Sequence, residues 1–275
     1  VDAEDGNGFV TTGDSVIVSA NVTDGVKVDS VSANLTELDL STSRFLSSEA
    51  VSQDFDGDGT LSSEIYGAEV SVPSSAPEGG PRSSTVTALD NSSNRNISSE
   101  FGSLKVDKTP PQLQVNSPLN TSPAFIRPSD SLTLNVSYKE QNPETLNLTV
   151  GPVSYLQSPP SGQQVFTTEI QSDQLPSEGR HNFTAVLNDS VRQQTTKKEV
   201  NSVFVDGTAP SRPQNLRHVD ETSRDGFDDD LSVDFNWSEA SDGVSGVSNY
   251  TVYVSRDGGT DYTSEVIEDT NFTVE

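Results

Sequence analysis

Asp54, Asp56 and Asp58 stand at alternate positions in the stretch DFDGDGTLSSE, with Gly59 and Thr60 behind them. Oxygen ligands at every second position, with a glycine where the loop must turn sharply, are what a hard cation such as calcium requires. Counted from Asp54 as an EF-hand loop, Asp56, Asp58, Thr60 and Ser62 fall in register and Gly59 takes the sixth place. The twelfth place, which should carry a bidentate acid, is Ile65. Glu64 comes one residue early, and EIYGAEVSV beyond it reads as a strand, not a helix. A helix-flanked calcium sensor is therefore excluded. Two readings stay open: an acidic, glycine-bearing turn between strands, or a weak, partly hydrated calcium site with Asp54, Asp56, Asp58 and Thr60 as ligands. A second acidic run, DGFDDDL from Asp225 to Leu231, reads as a solvated loop before a strand.

Nothing else in the chain has the spacing of a catalytic group. There is no cysteine, which excludes disulfides, cysteine–zinc sites and thiol nucleophiles. His181 and His218 lie far apart without metal-ligand spacing, and no G-x-S-x-G elbow occurs. No catalytic residue, and no cofactor other than calcium, is expected.

Asparagine offers a different chemistry. Twelve Asn-x-Ser/Thr sequons occur, at Asn21, Asn34, Asn91, Asn96, Asn120, Asn135, Asn147, Asn182, Asn188, Asn236, Asn249 and Asn271. Part of this abundance is geometry. In a strand, residues i and i+2 share a face, so Asn-apolar-Thr is how a wet strand face is written. The same geometry turns the acceptor nitrogens toward solvent, as N-glycosylation of a secreted chain requires.

The elements behind these residues have a period of two. Leu132, Leu134, Val136 and Tyr138 alternate with polar residues in SLTLNVSY, and DSVIVSANVT puts Val16, Val18, Ala20 and Val22 on one face. Phe183, Ala185 and Leu187, and Leu231, Val233, Phe235 and Trp237, repeat the pattern. Such alternation predicts strands with one buried and one wet face. No segment has convincing helical periodicity. KVDKTPPQLQV and FVDGTAPSRPQNL place Asp107 and Asp206 at equivalent points 99 residues apart. Pro110 and Pro210 stop ladder pairing after the last strand of a unit and stiffen the joint. The expected fold is all-β, with tandem antiparallel β-sandwich units at residues 1–107, 108–207 and 208–275.

The formal net charge of -26 arises from 42 acidic against 16 basic residues. It excludes nucleic-acid binding, which needs clustered Lys and Arg, and docking on an anionic membrane. Two readings remain, a salt-adapted surface or a calcium-rich adhesin. Dispersed acids favour the first, because at molar salt the Debye length is about 3 Å and self-repulsion is screened.

VDKTPP and VDGTAP, preceded by TALDNSSNRN and EGRHNFTAVLNDS, resemble the joints of bacterial and archaeal immunoglobulin-like repeats in large surface proteins. From Ser211 onward, PQNL and VDFNWSEASDGVSGVSNYTVYVSRDGG resemble a fibronectin type III domain, with Trp237 at its core tryptophan and Tyr250, Val252 and Val254 in the next strand. Immunoglobulin-like and fibronectin type III-like sandwiches are what the resemblance implies. Joined to the acidic, sequon-rich composition, it points to a halophilic archaeal surface protein. Against that pattern the third unit ends early at TNFTVE and the first lacks an evident opening strand. A fragment of a longer chain, or strands supplied by a neighbour, would account for both.

The expected function is a non-enzymatic stalk, spacer or filament segment outside the cell. Its partners would be neighbouring domains or copies of itself, with no nucleic acid and no membrane insertion in this segment. The rivals are an adhesin module gripping a surface glycan or another cell's surface protein, and an accessory spacer of a secreted hydrolase.

Overall fold

A computed structural model of the chain describes residues 2–3, 8–40, 44–49, 54–98, 101–219, 232–255, 258 and 263–274. The acidic run Asp225–Leu231, and with it Leu231, lies outside the described residues. The fold is all-β. The helical pieces among the described residues are short 3-10 turns, at Thr36–Leu38, at Glu49 and at Ser172–Gln174. Among the described residues no helix is long and apolar enough to cross a membrane.

Six sheets form three successive face-to-face pairs. The middle pair shows why. Leu132–Glu140 is the central strand of a three-stranded sheet, flanked by Gln112–Ser117 and Gly162–Ile170. Its alternation sends Leu132, Leu134, Val136 and Tyr138 inward, each at most 3% exposed. They meet Leu146, Leu148 and Val150 from Pro143–Val150 and Phe183, Ala185 and Leu187 from Gly179–Asp189, in the opposing five-stranded sheet. A one-residue slip of either strand would turn these side chains to water, so burial fixes the register. The Tyr138 hydroxyl reaches Pro160 O at 2.8 Å, which satisfies that buried polar atom.

The N-terminal pair packs Val16 and Val18 of Ser15–Asn21 against Val31 and Ala33 of Val28–Asn34, Val86 of Gly79–Asp90, and Leu104 and Val106. Its opening strand, not evident in the sequence, exists in two pieces. Asp2–Ala3 pairs antiparallel with Ser15–Asn21 in one sheet, and Phe9–Val10 runs parallel to Phe101–Val106 in the other. Two-residue pieces divided between sheets are too short to show an alternation. Ala124–Ile126 likewise runs parallel to Gln194–Val205. All other pairings among the named strands are antiparallel.

The C-terminal pair sets the sheet Gln214–His218, Val233–Ser238 and Asn271–Val274 against the hairpin Tyr250–Val254 and Thr263–Ile267. Trp237 meets Tyr250 edge-on at 5.5 Å between ring centroids, and the Ala240 N–H donates to the Tyr250 hydroxyl. The two histidines are far from a common site. His181 contacts Ser177 O through Nε2, and His218 packs edge-on against Phe235.

Candidate cation sites in a loop and at a joint

The Asp54 loop is organised by an acid the sequence did not single out. Glu49 is fully buried, and its carboxylate accepts N–H bonds from Phe55, Asp56 and Ser62. Phe55 anchors the loop by laying its ring over Gly67 of the strand Ile65–Ser71, so closely that a Cβ there would lie 2.2 Å from the ring. The loop is then an inter-strand connection, as the missing acid at Ile65 implies.

Only part of the expected ligand set converges. Glu49, Asp54 and Asp56 bring carboxylate oxygens within 4.8 Å of one another. Asp58 instead accepts from Thr60 N and Thr60 Oγ1, both at 2.7 Å, so the pair satisfies itself. Asp54 accepts from Gly59 N and Gly57 N, which hold its carboxyl below the usual range. Asp56 accepts from Asp58 N, which favours its charge. Desolvation and the like charges of Asp58, Glu49 and Asp54 nonetheless leave it raised. These are chains of Asx turns, and backbone N–H groups already supply most of the positive charge the loop needs.

A second cluster sits at the first Val-Asp-x-Thr-x-Pro joint. Both joints are closed by the same contacts. Asp107 Oδ1 accepts from Thr109 N, as Asp206 Oδ1 does from Thr208 N. Thr109 Oγ1 donates to Glu78, and Thr208 Oγ1 to Glu178. The backbone N–H groups of Asp107 and Asp206 donate to Val10 O and Ile126 O, the parallel strands of their own sheets. Glu78 and Glu178, each followed by a glycine of positive φ, lie 100 residues apart, one more than the two joint aspartates, in PEGG and SEGR.

What each joint aspartate faces is opposite. Asp206 Oδ2 accepts from Ser245 N, in a loop whose Val244, Ser245 and Gly246 N–H groups cap Asp242. The Ser245 and Thr208 bonds keep the Asp206 carboxyl low. Arg180 Nε donates to Val244 O beside it. Asp107 instead meets Glu140, at the end of Leu132–Glu140, and Asp189, at the end of Gly179–Asp189. Carboxylate oxygens of all three lie within 4.8 Å of one another. At an effective dielectric of about 20, unit charges at that spacing repel by roughly 3 kcal/mol per pair.

Burial makes the repulsion matter. Asp189 is 0% exposed and Glu140 7%. Asp189 Oδ1 accepts from Val191 N and Gln193 N, and Glu140 Oε1 from Gln141 N and Asn142 N. Asp189 Oδ2 accepts nothing from the protein, and neither does Oδ1 of Asn142, itself only 7% exposed. The Asn142 side chain interacts with the Asp107 carboxylate, and its Nδ2 donates to Ser190 Oγ. Burial pushes the carboxyl groups of Asp107 and Glu140 up, and that of Asp189 to about 6, with Asp107 and Glu140 adding like charge.

Asp90 provides an internal control. It ends the strand Gly79–Asp90 in a turn of the same design, accepting from Ser92 N and Asn94 N, with Ser93 at φ 65° where Arg192 has φ 69°. There the Asn94 side chain and backbone hold the carboxyl low. The backbone turn is the same, but Asn94 Nδ2 also donates to Asp90 whereas Gln193 gives Asp189 only its backbone N–H, and Asp189 is buried beside two further carboxylates, so its carboxyl moves the other way. Basic side chains do not offset the cluster. Lys108 spends its ammonium on Ser74 O and Ala76 O. Lys105 lies over the Phe9 ring at 5.0 Å. Arg192 reaches across to Asp14 at 3.0 Å, the one ion pair among the described residues.

The sequons divide by exposure. Asn21, Asn34, Asn91, Asn96, Asn120, Asn249 and Asn271 are exposed. Asn135, Asn147, Asn182, Asn188 and Asn236 are half-buried within sheets and hydrogen-bonded to neighbours, Asn135 to both Asn116 and Thr167. The alternation rule places all of these on a wet face. It does not tell an edge strand from one flanked by neighbours on both sides.

No family model and no curated protein matches the chain. Solved structures are similar to it at low identity. A bacterial ice-binding adhesin of 1.5 MDa, described for its retention on the host cell surface, is 12% identical over 99% of this chain and 83% of its own, with a TM-score of 0.42. An Antarctic bacterium's Ca2+-stabilised, ice-binding adhesin is 11% identical over 96% of this chain and 62% of its own, with a TM-score of 0.40. The fibronectin(III)-like modules of CbhA from Clostridium thermocellum are 14% identical over 75% and 90%, with a TM-score of 0.38. All three are loose likenesses.

Proposed function

We propose that the chain is a non-enzymatic spacer of a large secreted or cell-surface protein. It would be built as three sandwich units, 1–107, 108–207 and 208–275, that hold a terminal element away from the cell. One observation carries this reading. Two joints with the same motif are closed by the same Asp–Thr–Glu contacts, and each then engages the next sheet pair through side chains instead of leaving a free linker. A repeated joint with directional contacts sets the angle between successive units, which is the property a stalk needs.

Small-angle scattering of the 275-residue chain tests it. A compact globule of this length has a radius of gyration of about 19 Å. Units arranged in line give a clearly larger value and a long-tailed distance distribution, and a value near 19 Å would overturn the reading.

The surface chemistry fits life in strong salt. With a net charge of -26 and a single ion pair among the described residues, the carboxylates rely on water and counter-ions. The melting temperature is expected to climb from dilute buffer to molar KCl, and a flat response would remove the salt-adapted, halophilic part of the account. The seven exposed sequons are the ones we assign to glycan in native material; the five half-buried ones stay bare. The Asp54 loop, its carboxylates already engaged by N–H groups, takes at most a weakly held cation that stiffens the turn.

A further inference from the structure

We propose that the first joint is a calcium site, with Asp107, Glu140, Asp189 and Asn142 as its ligands, and that the second joint is built to close without one. The ligand set is all oxygen, which suits a hard cation and excludes a zinc-type site. It draws on three separate elements: the end of Phe101–Val106, the end of Leu132–Glu140, and the turn after Gly179–Asp189. Asp107 comes from the N-terminal side of the joint and the other three from the middle sheet pair. A bound ion therefore ties one pair to the next.

Two further observations point to a cation beyond the cluster of acids. Buried oxygens are normally hydrogen-bonded, yet Oδ2 of Asp189 and Oδ1 of Asn142 are both enclosed and accept nothing from the protein. Asn142 is neutral, so its unmet oxygen is not a by-product of acidic composition. The second joint shows how the same motif is built when no ion is needed: Asp206 receives backbone N–H groups there and, among the described residues, joins no cluster of carboxylates.

A cleft of about 380 Å³ opens onto the cluster between Glu78, Gln112 and Lys139, wide enough for a hydrated ion to enter. Calcium is preferred to magnesium because ligands from three elements at irregular spacing suit its six to eight flexible positions, with Glu78 or water completing the shell. The site stands whether or not the chain serves as a spacer.

Isothermal titration of CaCl2 into the chelator-stripped, full 275-residue chain in molar NaCl is the test. The expected result is one site with a dissociation constant of about 10⁻⁴ M or tighter. It should weaken at least tenfold in Glu140→Gln and in Asp189→Asn, and persist in Asp206→Asn and in the double variant Asp54→Asn/Asp56→Asn. Glu140→Gln keeps an oxygen to accept the Gln141 and Asn142 N–H groups, and thermal melts of each variant separate lost binding from lost folding. Absence of binding up to several millimolar calcium, typical of the weakest extracellular sites, would overturn the proposal. So would binding that survives Glu140→Gln, or that vanishes only in the Asp54/Asp56 variant.

Discussion

Replacing Asp189 with asparagine is expected to stabilise the calcium-free chain at neutral pH by roughly 2–3 kcal/mol, although it removes a fully buried side chain's native chemistry. The asparagine Oδ1 can keep the bonds from Val191 N and Gln193 N. Its Nδ2 takes the place of an oxygen that has no donor and faces Asp107 and Glu140. The sign in pH follows from linkage. The Asp189 carboxyl is raised from 3.8 to about 6 in the fold, so between those values the folded chain binds the proton more tightly than the unfolded chain does. Its destabilising effect is absent below 3.8, grows as pH rises through this window, and is complete above about 6. Asp107 and Glu140 are raised by the same burial and act in the same direction.

Other groups at the joint must be held in view. Glu78 adds like charge, while Lys105 and Lys139 line the cleft. Asp54, Asp90 and Asp206, held low by N–H groups, act in the opposite sense and lose stability as pH falls through their folded values. The difference between wild type and Asp189→Asn isolates the joint from these. Measured in chelator by chemical denaturation, the advantage of the variant should widen from pH 4 to about pH 6.5 and then level off. With calcium added at pH 7 the variant's advantage should shrink, because the wild type binds the ion at least tenfold more tightly. An asparagine variant that is less stable than wild type in chelator at pH 7 would contradict the account of the cluster.

Phe183→Ala is expected to cost about 3–5 kcal/mol and to act on one sheet pair only. Phe183 is 0% exposed in the middle core, which it shares with Leu134, Leu146 and Leu148, so its removal leaves a cavity that β-sandwich walls on both sides cannot collapse to fill. The chain's single tryptophan, Trp237, belongs to the C-terminal core and reports that core alone. Calorimetry should show one transition moving to lower temperature, while the Trp237 emission change stays near its original position. If the tryptophan transition moves down by the same amount, the sheet pairs unfold as one body and the division into three units fails.

Much of the fold was legible because its signal is local. The alternation in SLTLNVSY and HNFTAVLND needs no partner to be read, and the structure buries the residues it names. The ends of the strands Phe101–Val106 and Gln194–Val205 have a local signal too: a proline a few residues on carries its consequence nearby. The opening strand of the first sheet pair was not legible, because Asp2–Ala3 and Phe9–Val10 pair with strands far along the chain and are too short to alternate.

The sites divide the same way. The register of DFDGDG names Asp54, Asp56, Asp58 and Thr60; in the structure Asp58 and Thr60 bond to each other, and Glu49, which no local spacing marks, accepts the N–H groups of Phe55, Asp56 and Ser62. The joint cluster assembles Asp107, Glu140 and Asp189 from distant strands, and in a chain with 42 acids no single carboxylate stands out. One signal was present. Asp189 and Asp90 end equivalent strands at the joint period, as do Asp206 and Asp107, so the acids that recur mark the ends of units. What the repeat does not encode is that Glu140 and Asn142 close one joint where the loop Asp242–Gly246 closes the other.

The central claim is that an ion at the first joint fixes one sheet pair on the next, and spin-label distances across that joint address it most directly. The chain has no cysteine, so Ser63→Cys and Ser158→Cys place labels cleanly at exposed positions on either side. In chelator the distance distribution should be broad. Calcium should narrow it in the wild type and leave it broad in Glu140→Gln. A distribution of the same width with and without calcium would contradict the account.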